Sequence, residues 1–315
     1  MDELNCIRVF LEIARRGSFY GAAQGLGISP SSVSKQVAWL EASLDVRLLN
    51  RTTKKVALTA EGQQLLDMAP PLVHRFEQLR SSVKNTRGAT SGTIRIGVPP
   101  TFGTRRFLPV IAEFNRSYPD IQISLSFSAS RNKDQMAKDA LDINIMIVPA
   151  LEDSSFVALP LGEASQALVA SPDYLRRCPT LCTPDDLTRC NCLINTLKSP
   201  TGIWRFERGT EKQSVRVHGT LRSDMGDSLK EAAIMGLGIS MHPYYMILEE
   251  IERGLLRVVL PAYPPSSLYV YAAYPSRHRM PLCVRKFVDF LAEWAKEPKP
   301  WTSTSTPTAT GILAR

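Results

Sequence analysis

Near the N-terminus the apolar positions recur every three or four places, the spacing of helix faces. Leu4, Ile7, Leu11 and Ala14 form one such series and predict a helix that stops at Gly17. Ser18 is suited to cap a second, short helix from Phe19 to Gly25, whose Gly21, Ala22 and Ala23 let a neighbour approach closely. Gly25-Leu26-Gly27 breaks that helix. A third follows, with Val33, Val37, Leu40 and Leu44 on its buried stripe. That stripe turns Ser31, Lys35, Ala38 and Ala42 outward and leaves Ser34 on the flank. Two helices joined by a tight glycine-containing turn make the helix-turn-helix pattern. Leu48, Leu49, Val56 and Leu58 then surround a polar, turn-like centre at residues 50–55, which reads as a hairpin wing. Beyond it Thr59 can cap a long helix, with Leu65, Met68, Leu72, Phe76, Leu79 and Val83 as its apolar stripe. Pro70-Pro71 falls inside that helix. Interior proline loses a hydrogen bond at a cost of about 3 kcal/mol, so a kink, two shorter helices, or a second segment opening at Pro70 is expected.

Residues 85–93 read as a hinge, and after them the period changes. "TIRIGV" is a strand, "PPTFGT" leads into a helix around Phe107, Val110, Ile111 and Phe114, and "IQISLSFS" alternates with Ile121, Ile123, Leu125 and Phe127 on one side. A helix near 134–140 and the strand "INIMIV" continue the series. Strands alternating with helices mean a parallel sheet with crossover helices. A second set runs through "ALVA", "CLIN", "VRVHGTL", a helix before Gly236 and "GISM". The chain is expected to return at "LYVYAAY", Leu268 to Tyr274, before a last helix at Cys283 to Ala295.

Composition changes the picture only modestly. The 315 residues suffice for two or three domains, and 44% hydrophobic with 22% charged is ordinary for a folded protein. No apolar run approaches the roughly 18 residues that would span a bilayer, and Asp2 and Glu3 open the chain where a secretory signal would be cationic. A cytoplasmic protein with no membrane partner is expected. The net charge of +8 suggests an anionic partner, most plausibly nucleic acid, though many basic proteins bind none. Cys178, Cys182, Cys190 and Cys192 are spaced C-x3-C-x7-C-x-C, which matches no zinc pair and has no histidine beside it. Reduced, partly buried thiols are the default; a redox or soft-metal role is the minority reading. His74, His218, His242 and His278 form no metal pair, and no phosphate loop or nucleophile elbow occurs. No catalytic residue, metal or cofactor is therefore assigned.

The outward face of the third helix is short, polar and cationic at its start. Such a face can enter a major groove, where hydroxyls meet base edges or phosphates and Lys35 reaches guanine or phosphate. Serines and proline at a helix start also serve simply as caps, and alone the two readings balance. The following stretch, Val46 to Ala60, holds Arg47, Arg51, Lys54 and Lys55 and no acid. Directly after a helix-turn-helix, Arg51, Lys54 and Lys55 at a hairpin tip favour a sugar-phosphate or minor-groove contact.

At this point Ser18 to Gly62 resembles the winged helix-turn-helix of LysR-type transcriptional regulators. The likeness lies in the Ala-Ala pair, the Val-Ser-Lys-Gln of the third helix, Leu40-Glu41, Arg47-Leu48-Leu49, Arg51 and Leu58-Thr59. The chain departs at Pro30, where the family usually has a DNA-contacting Gln, and at Asp45, where it usually has Gly. Phrases such as "TIRIGVP", "FGTRRFLPVIAEFNRSYPDIQI", "ASPDYL", "AAIMGLGISMHPYYM" and "GLLRVVLP" extend the resemblance to about Ala295 as the family's co-inducer domain.

The fold expected overall is α/β: an N-terminal, all-α winged helix-turn-helix over 1–60, a linker helix and hinge over 61–92, and a two-subdomain effector-binding domain over 93–296. The first subdomain would comprise about 93–161 and 268–296, the second about 162–267, and 297–315 would be a disordered tail. The resemblance implies that the linker helix pairs with a partner's copy, giving a homodimer or homotetramer on double-stranded promoter DNA. Pro30, Ser31, Ser34, Lys35, Arg51, Lys54 and Lys55 are the expected DNA contacts. In open α/β sheets ligands sit beyond the carboxyl ends of strands. There Thr101 offers a hydroxyl beside helix-start amides, suited either to a small anion or to a simple N-cap. By position in the family, a small-molecule effector would meet Thr101, Phe102, Ser128, Thr196 and the Asp224-Met225 turn. The rivals are an enzyme, a solute-binding protein, which the basic N-terminal segment disfavours, and a cysteine-based redox sensor of the same family.

Overall fold

The computed structural model describes residues 2–51, 56–84, 91–127, 136, 139–151, 157–275 and 280–297. Three helices open the chain: α1 (Glu3–Arg16), α2 (Phe19–Leu26) and α3 (Pro30–Leu44). Local chemistry sets their ends. The Asp2 and Ser18 side chains accept from the backbone N–H groups of Leu4 and Gly21, and Gly17 and Gly27 close α1 and α2 in the left-handed region. The core of this unit differs in one respect from the sequence expectation. Cys6, Val9, Phe10 and Ile13 are the buried positions of α1, whereas Leu4, Ile7, Leu11 and Ala14 are half-covered. The expected series is one edge of a wider apolar face, because α1 touches α2, α3 and α4 at once.

Strands β1 (Leu49–Arg51) and β2 (Val56–Leu58) pair antiparallel, with Leu49 opposite Leu58. This two-stranded wing makes the N-terminal unit mostly rather than wholly helical. The long helix α4 (Ala60–Lys84) starts at Thr59, whose Oγ1 accepts from Gly62 N–H at 2.9 Å. Gly62 lies so close to the wing that a Cβ there would meet the Leu48 carbonyl oxygen at 2.0 Å. Helix α4 is continuous through Pro70 and Pro71, so the alternative of two shorter helices is not what forms. Buried Ala69, Val73 and His74 pin that stretch, and such packing can outweigh the bonds that proline forfeits. His74 meets Asp142 of the following domain at 2.8 Å and also contacts the Arg95 guanidinium, while Asp142 accepts from Arg95 N–H at 2.8 Å. The expected α4 stripe largely faces out: Met68, Leu72, Phe76 and Leu79 are exposed.

The rest is α/β. A first sheet has the order β4-β3-β5-β14-β6, built from β3 (Gly92–Gly97), β4 (Ile121–Ser126), β5 (Ile143–Val148), β6 (Val157–Ala164) and β14 (Leu268–Tyr274). Its β4, β3 and β5 are parallel, and β14 runs antiparallel to both β5 and β6. A second sheet has the order β11-β8-β12-β7-β13, from β7 (Gln166–Ala170), β8 (Cys192–Asn195), β11 (Arg222–Ser223), β12 (Ile239–Pro243) and β13 (Arg257–Val259). A separate antiparallel hairpin joins β9 (Ile203–Arg208) to β10 (Glu211–Arg216). The chain does return through β14, as its alternating pattern predicts. The first crossing comes at Ser165, because β6 keeps pairing with β14 as far as Ala164, three residues past the expected 161–162 division. Phe102, Phe107, Phe114 and Phe287 meet in tilted and edge-to-face pairs within one apolar core that also includes Leu193, Leu229 and Tyr245 from the second unit. The 134–140 helix lies mostly outside the described residues, as do hinge residues 85–90 and the tail beyond 297.

Candidate nucleic-acid interface and ligand cleft

Helix α3 begins as its serines and proline dictate. Ser29 is the N-cap, its Oγ accepting from Ser32 N–H at 3.2 Å, and Pro30 occupies the first helical position, where a missing N–H costs nothing. Val33, Val37 and Leu40 are fully buried. The expected fourth member, Leu44, is 42% exposed, so the buried stripe ends at Leu40. Pro30, Ser31 and Lys35 are exposed and Ser34 is half-buried. Ser29 Oγ lies 3.0 Å from Ser31 Oγ. Gln36 is held on the inner flank, donating to Ser32 Oγ at 3.2 Å and accepting from Asn5 Nδ2 at 2.8 Å. The cap thus holds Ser29 and Ser31, and the forward surface is left to Pro30, Ser31 and Lys35.

The turn from α3 to the wing depends on two acids. Asp45 closes α3 at φ 54° and ψ 34°, the left-handed conformation in which glycine is the least strained residue. Its backbone N–H still reaches the Glu41 carbonyl, so the cap is kept. The Glu41 carboxylate accepts from Leu48 N–H at 2.9 Å and Leu49 N–H at 3.2 Å, fixing where β1 starts. Nothing in the sequence pattern marked Glu41 for this role beyond its place beside Leu40. Arg51 ends β1 opposite Val56. Lys54 and Lys55 lie outside the described residues.

The residues expected to line an effector cleft include one contact that joins the two α/β units. Thr101 follows β3 and is half-buried; its hydroxyl donates to the carboxylate of Asp227, in the first turn of the helix Gly226–Ile234. Thr101 therefore does not cap its own helix, which Pro99 precedes, and its hydroxyl already has an anion, one supplied by the chain. Phe102, the next expected effector contact, turns its side chain inward. It is fully buried, with its ring edge-on to Tyr245 at 5.4 Å, because the third position of the turn Pro100–Phe102 points into the core. Thr196 is half-buried just after β8, and its N–H donates to the Ser223 carbonyl at 2.9 Å. Ser223 Oγ in turn accepts from Met225 N–H at 3.1 Å. Asp224 and Met225 are exposed beside it. Thr101, Thr196 and the 224–225 turn are thus linked through Ser223 and Asp227, two residues without a periodic or motif signal. Ser128 lies outside the described residues.

Several ionisable groups are buried in the second unit or bridge it to the first. His242 is buried, with Nε2 at 2.9 Å from Ser240 Oγ. Burial, then the nearby ammonium groups of Lys198 and Lys230, pull its pKa down to about 3, so the ring is neutral. Lys230 is itself buried, 2.5 Å from Glu250. Burial works to raise the Glu250 pKa, but the Lys230 hydrogen bond and charge carry it below the usual value. Arg105, beyond β3, reaches Glu250 at 3.5 Å and Glu249 at 3.7 Å, bracing one unit against the other. Among the described residues no group of three or more His, Cys, Asp or Glu could hold a metal ion. Nor is any described helix long and apolar enough to cross a membrane.

With this geometry in view, the likenesses to known proteins fall into place. Residues 4–63 match the family described as bacterial regulatory helix-turn-helix protein, lysR family, and residues 87–296 match the LysR substrate binding domain. The chain is 33% identical over 292 residues to the HTH-type transcriptional activator TtdR of Escherichia coli, covering 92% of this chain and 93% of that one. It is 33% identical over 290 residues to the HTH-type transcriptional regulator PtxR of Pseudomonas aeruginosa, covering 92% of each. Among solved structures, the full-length Vibrio cholerae virulence activator AphB has a TM-score of 0.63 at 27% identity, covering 94% of this chain and all of that one. CrgA, a LysR-type transcriptional regulator from Neisseria meningitidis, has a TM-score of 0.57 at 26% identity, covering 93% of this chain and 99% of that one.

Proposed function

We propose, from the premise that this chain belongs to the lysR family of bacterial helix-turn-helix regulators, a division of labour among its named residues. Pro30, Ser31 and Lys35 at the start of α3 meet base edges and phosphates in the major groove of promoter DNA, with Ser34 at the margin. Arg51, Lys54 and Lys55 in the wing hold the sugar-phosphate backbone. The observation that carries this reading is the split along α3, with Val33, Val37 and Leu40 fully buried and Ser31 and Lys35 exposed on the other side. The protein works in the cytoplasm as a binding device without catalysis. Its exposed α4 stripe of Met68, Leu72, Phe76 and Leu79 pairs with a second copy, giving a homodimer or a dimer of dimers. Two-fold symmetry then puts half-sites about one helical turn, roughly 34 Å, or a multiple apart.

A small polar effector fits the cleft bounded by Thr101, Thr196, Asp224 and Met225. Lys198, two residues beyond Thr196 and near enough to act on His242, supports an anionic one. Effector binding changes the angle between the subunits and so the bend in DNA. Footprinting on genomic DNA, with and without candidate carboxylic acids, tests both halves together. Protected sites that shift with one acid support the reading. Protection identical under every acid, with none bound in calorimetry, removes the anionic effector. In the same assay Lys54→Ala should weaken all sequences alike and lower the slope of log affinity against log salt by about one.

A further inference from the structure

The cysteine cluster is not used by any of this. Cys178 closes the helix Pro172–Arg177, and Cys190 closes the 3₁₀ turn Pro184–Arg189. Their sulfurs lie 3.1 Å apart, about 1 Å beyond the ~2.05 Å of a covalent disulfide. Local bonds hold both ends in place. Cys178 N–H donates to the Tyr174 carbonyl at 3.0 Å and Cys190 N–H to the Leu187 carbonyl at 3.1 Å. Between them the Asp186 carboxylate accepts from Cys182 N–H and Thr183 N–H, both at 2.9 Å, so the connecting turn is rigid. The other two thiols stand apart from this pair. Cys182 is exposed, and Cys192 is fully buried in the second core with its Sγ directed to the Leu187 carbonyl.

We propose that Cys178 and Cys190 form a reversible dithiol–disulfide pair, a modification site for hydroperoxides in the regulatory domain. Cys178, the half-buried member, is reached from solvent and reacts first. Its thiolate attacks the outer oxygen of the hydroperoxide. The O–O bond breaks, the leaving alkoxide or hydroxide takes a proton, and the sulfur is oxidised to sulfenic acid while the peroxide is reduced. The Cys190 sulfur gives up its proton and attacks the Cys178 sulfur. The S–O bond breaks, water leaves and the S–S bond forms. Two thiols and one hydroperoxide thus give a disulfide, one alcohol (or water) and one water, and an external dithiol reverses the change. Burial, and next the Cys178 contact, push the Cys190 thiol up to about 12, which suits a resolving partner better than a first nucleophile. The new bond would tie the helix Pro172–Arg177 to the start of β8, whose far end carries Asn195 and leads into Thr196 at the cleft.

Trypsin offers a direct test, because cleavage after Arg177, Arg189 and Lys198 separates the Cys178–Arg189 peptide from the Cys190–Lys198 peptide. The reduced full-length protein is treated with a modest excess of hydrogen peroxide, alkylated, digested and analysed by mass spectrometry. The expected product is the two peptides joined with the loss of two hydrogens, fragment ions placing the bond between Cys178 and Cys190, and dithiothreitol separating them. Cys190→Ser should leave Cys178 as a sulfenic acid captured by dimedone, and Cys178→Ser should leave Cys190 alkylatable. A bond through Cys182 or Cys192, or Cys178 and Cys190 both fully alkylated after peroxide, overturns the proposal. Should either serine variant fail to fold, the linked peptide from the unaltered protein decides alone.

Discussion

Lys35 and Asp45 sit ten positions apart on the same helix segment, and physical chemistry treats them very differently. Lys35 is exposed on a face anchored by Val33, Val37 and Leu40, so its removal costs the fold little. In a gel-shift titration Lys35→Ala should lose about 1–3 kcal/mol of binding and relax base choice at one position. Unchanged affinity on a mapped site would mean that another face of α3 meets DNA. Asp45 carries a left-handed conformation and a negative charge at the negative end of α3. Asp45→Gly should therefore stabilise the N-terminal unit by about 1 kcal/mol, read as a higher urea midpoint, with DNA affinity kept. A lower midpoint would mean that the Asp45 side chain makes a contact worth more than its strain. The outward run Ser31-Lys35 was legible from periodicity alone. The Glu41 carboxylate that receives Leu48 and Leu49 was not, because a half-buried acid on a helix flank looks like any solvated one until the wing folds back onto it.

At the scale of elements, α4 shows how far periodicity reaches. Its three-and-four spacing foretold a helix with an apolar stripe, but a stripe does not say what covers it. Met68 at 67% and Leu72 at 58% exposure are uncovered in a single chain, which is why the stripe is assigned to a second copy. Leu72→Glu should raise the dimer dissociation constant by at least about tenfold, given about 1.5–3 kcal/mol for each buried leucine. Sedimentation equilibrium would show it, and the melting of the isolated subunit should barely change. A dimer that tolerates Leu72→Glu would place the interface elsewhere. The proline pair taught the opposite lesson. A local rule allowed a kink or a split there, and with buried contacts at Ala69, Val73 and His74 α4 is not split.

Over the whole molecule, buried charge couples the two α/β units and gives stability a pH dependence. His242 has an ordinary pKa near 6.5 when unfolded and about 3 when folded. Protonation is thus easier in the unfolded chain, so the stability associated with the neutral ring is complete above about pH 6.5 and lost as pH falls toward 3. In urea unfolding at steps between about pH 7 and pH 4, the protein should lose up to about 1.4 kcal/mol per unit more than a His242→Asn variant. Parallel curves would show that the folded chain charges His242 readily. The bracing from Arg105 to Glu249 and Glu250, and from Thr101 to Asp227, likewise belongs to the assembled molecule. Each joins positions more than a hundred residues apart.

What the sequence determined by itself was therefore whatever depends on neighbours along the chain. Helix and strand period, the caps at Ser18, Ser29 and Thr59, the exposed start of α3 and the return at Leu268–Tyr274 all follow from local spacing and local hydrogen bonds. Tertiary structure alone decided which apolar face is buried and which is exposed, and turned the Phe102 ring into the core. It also brought Asp227 to Thr101 and Cys178 to Cys190. Burial and charge pairing are sums over everything close in space, and distance along a chain carries almost no information about that sum.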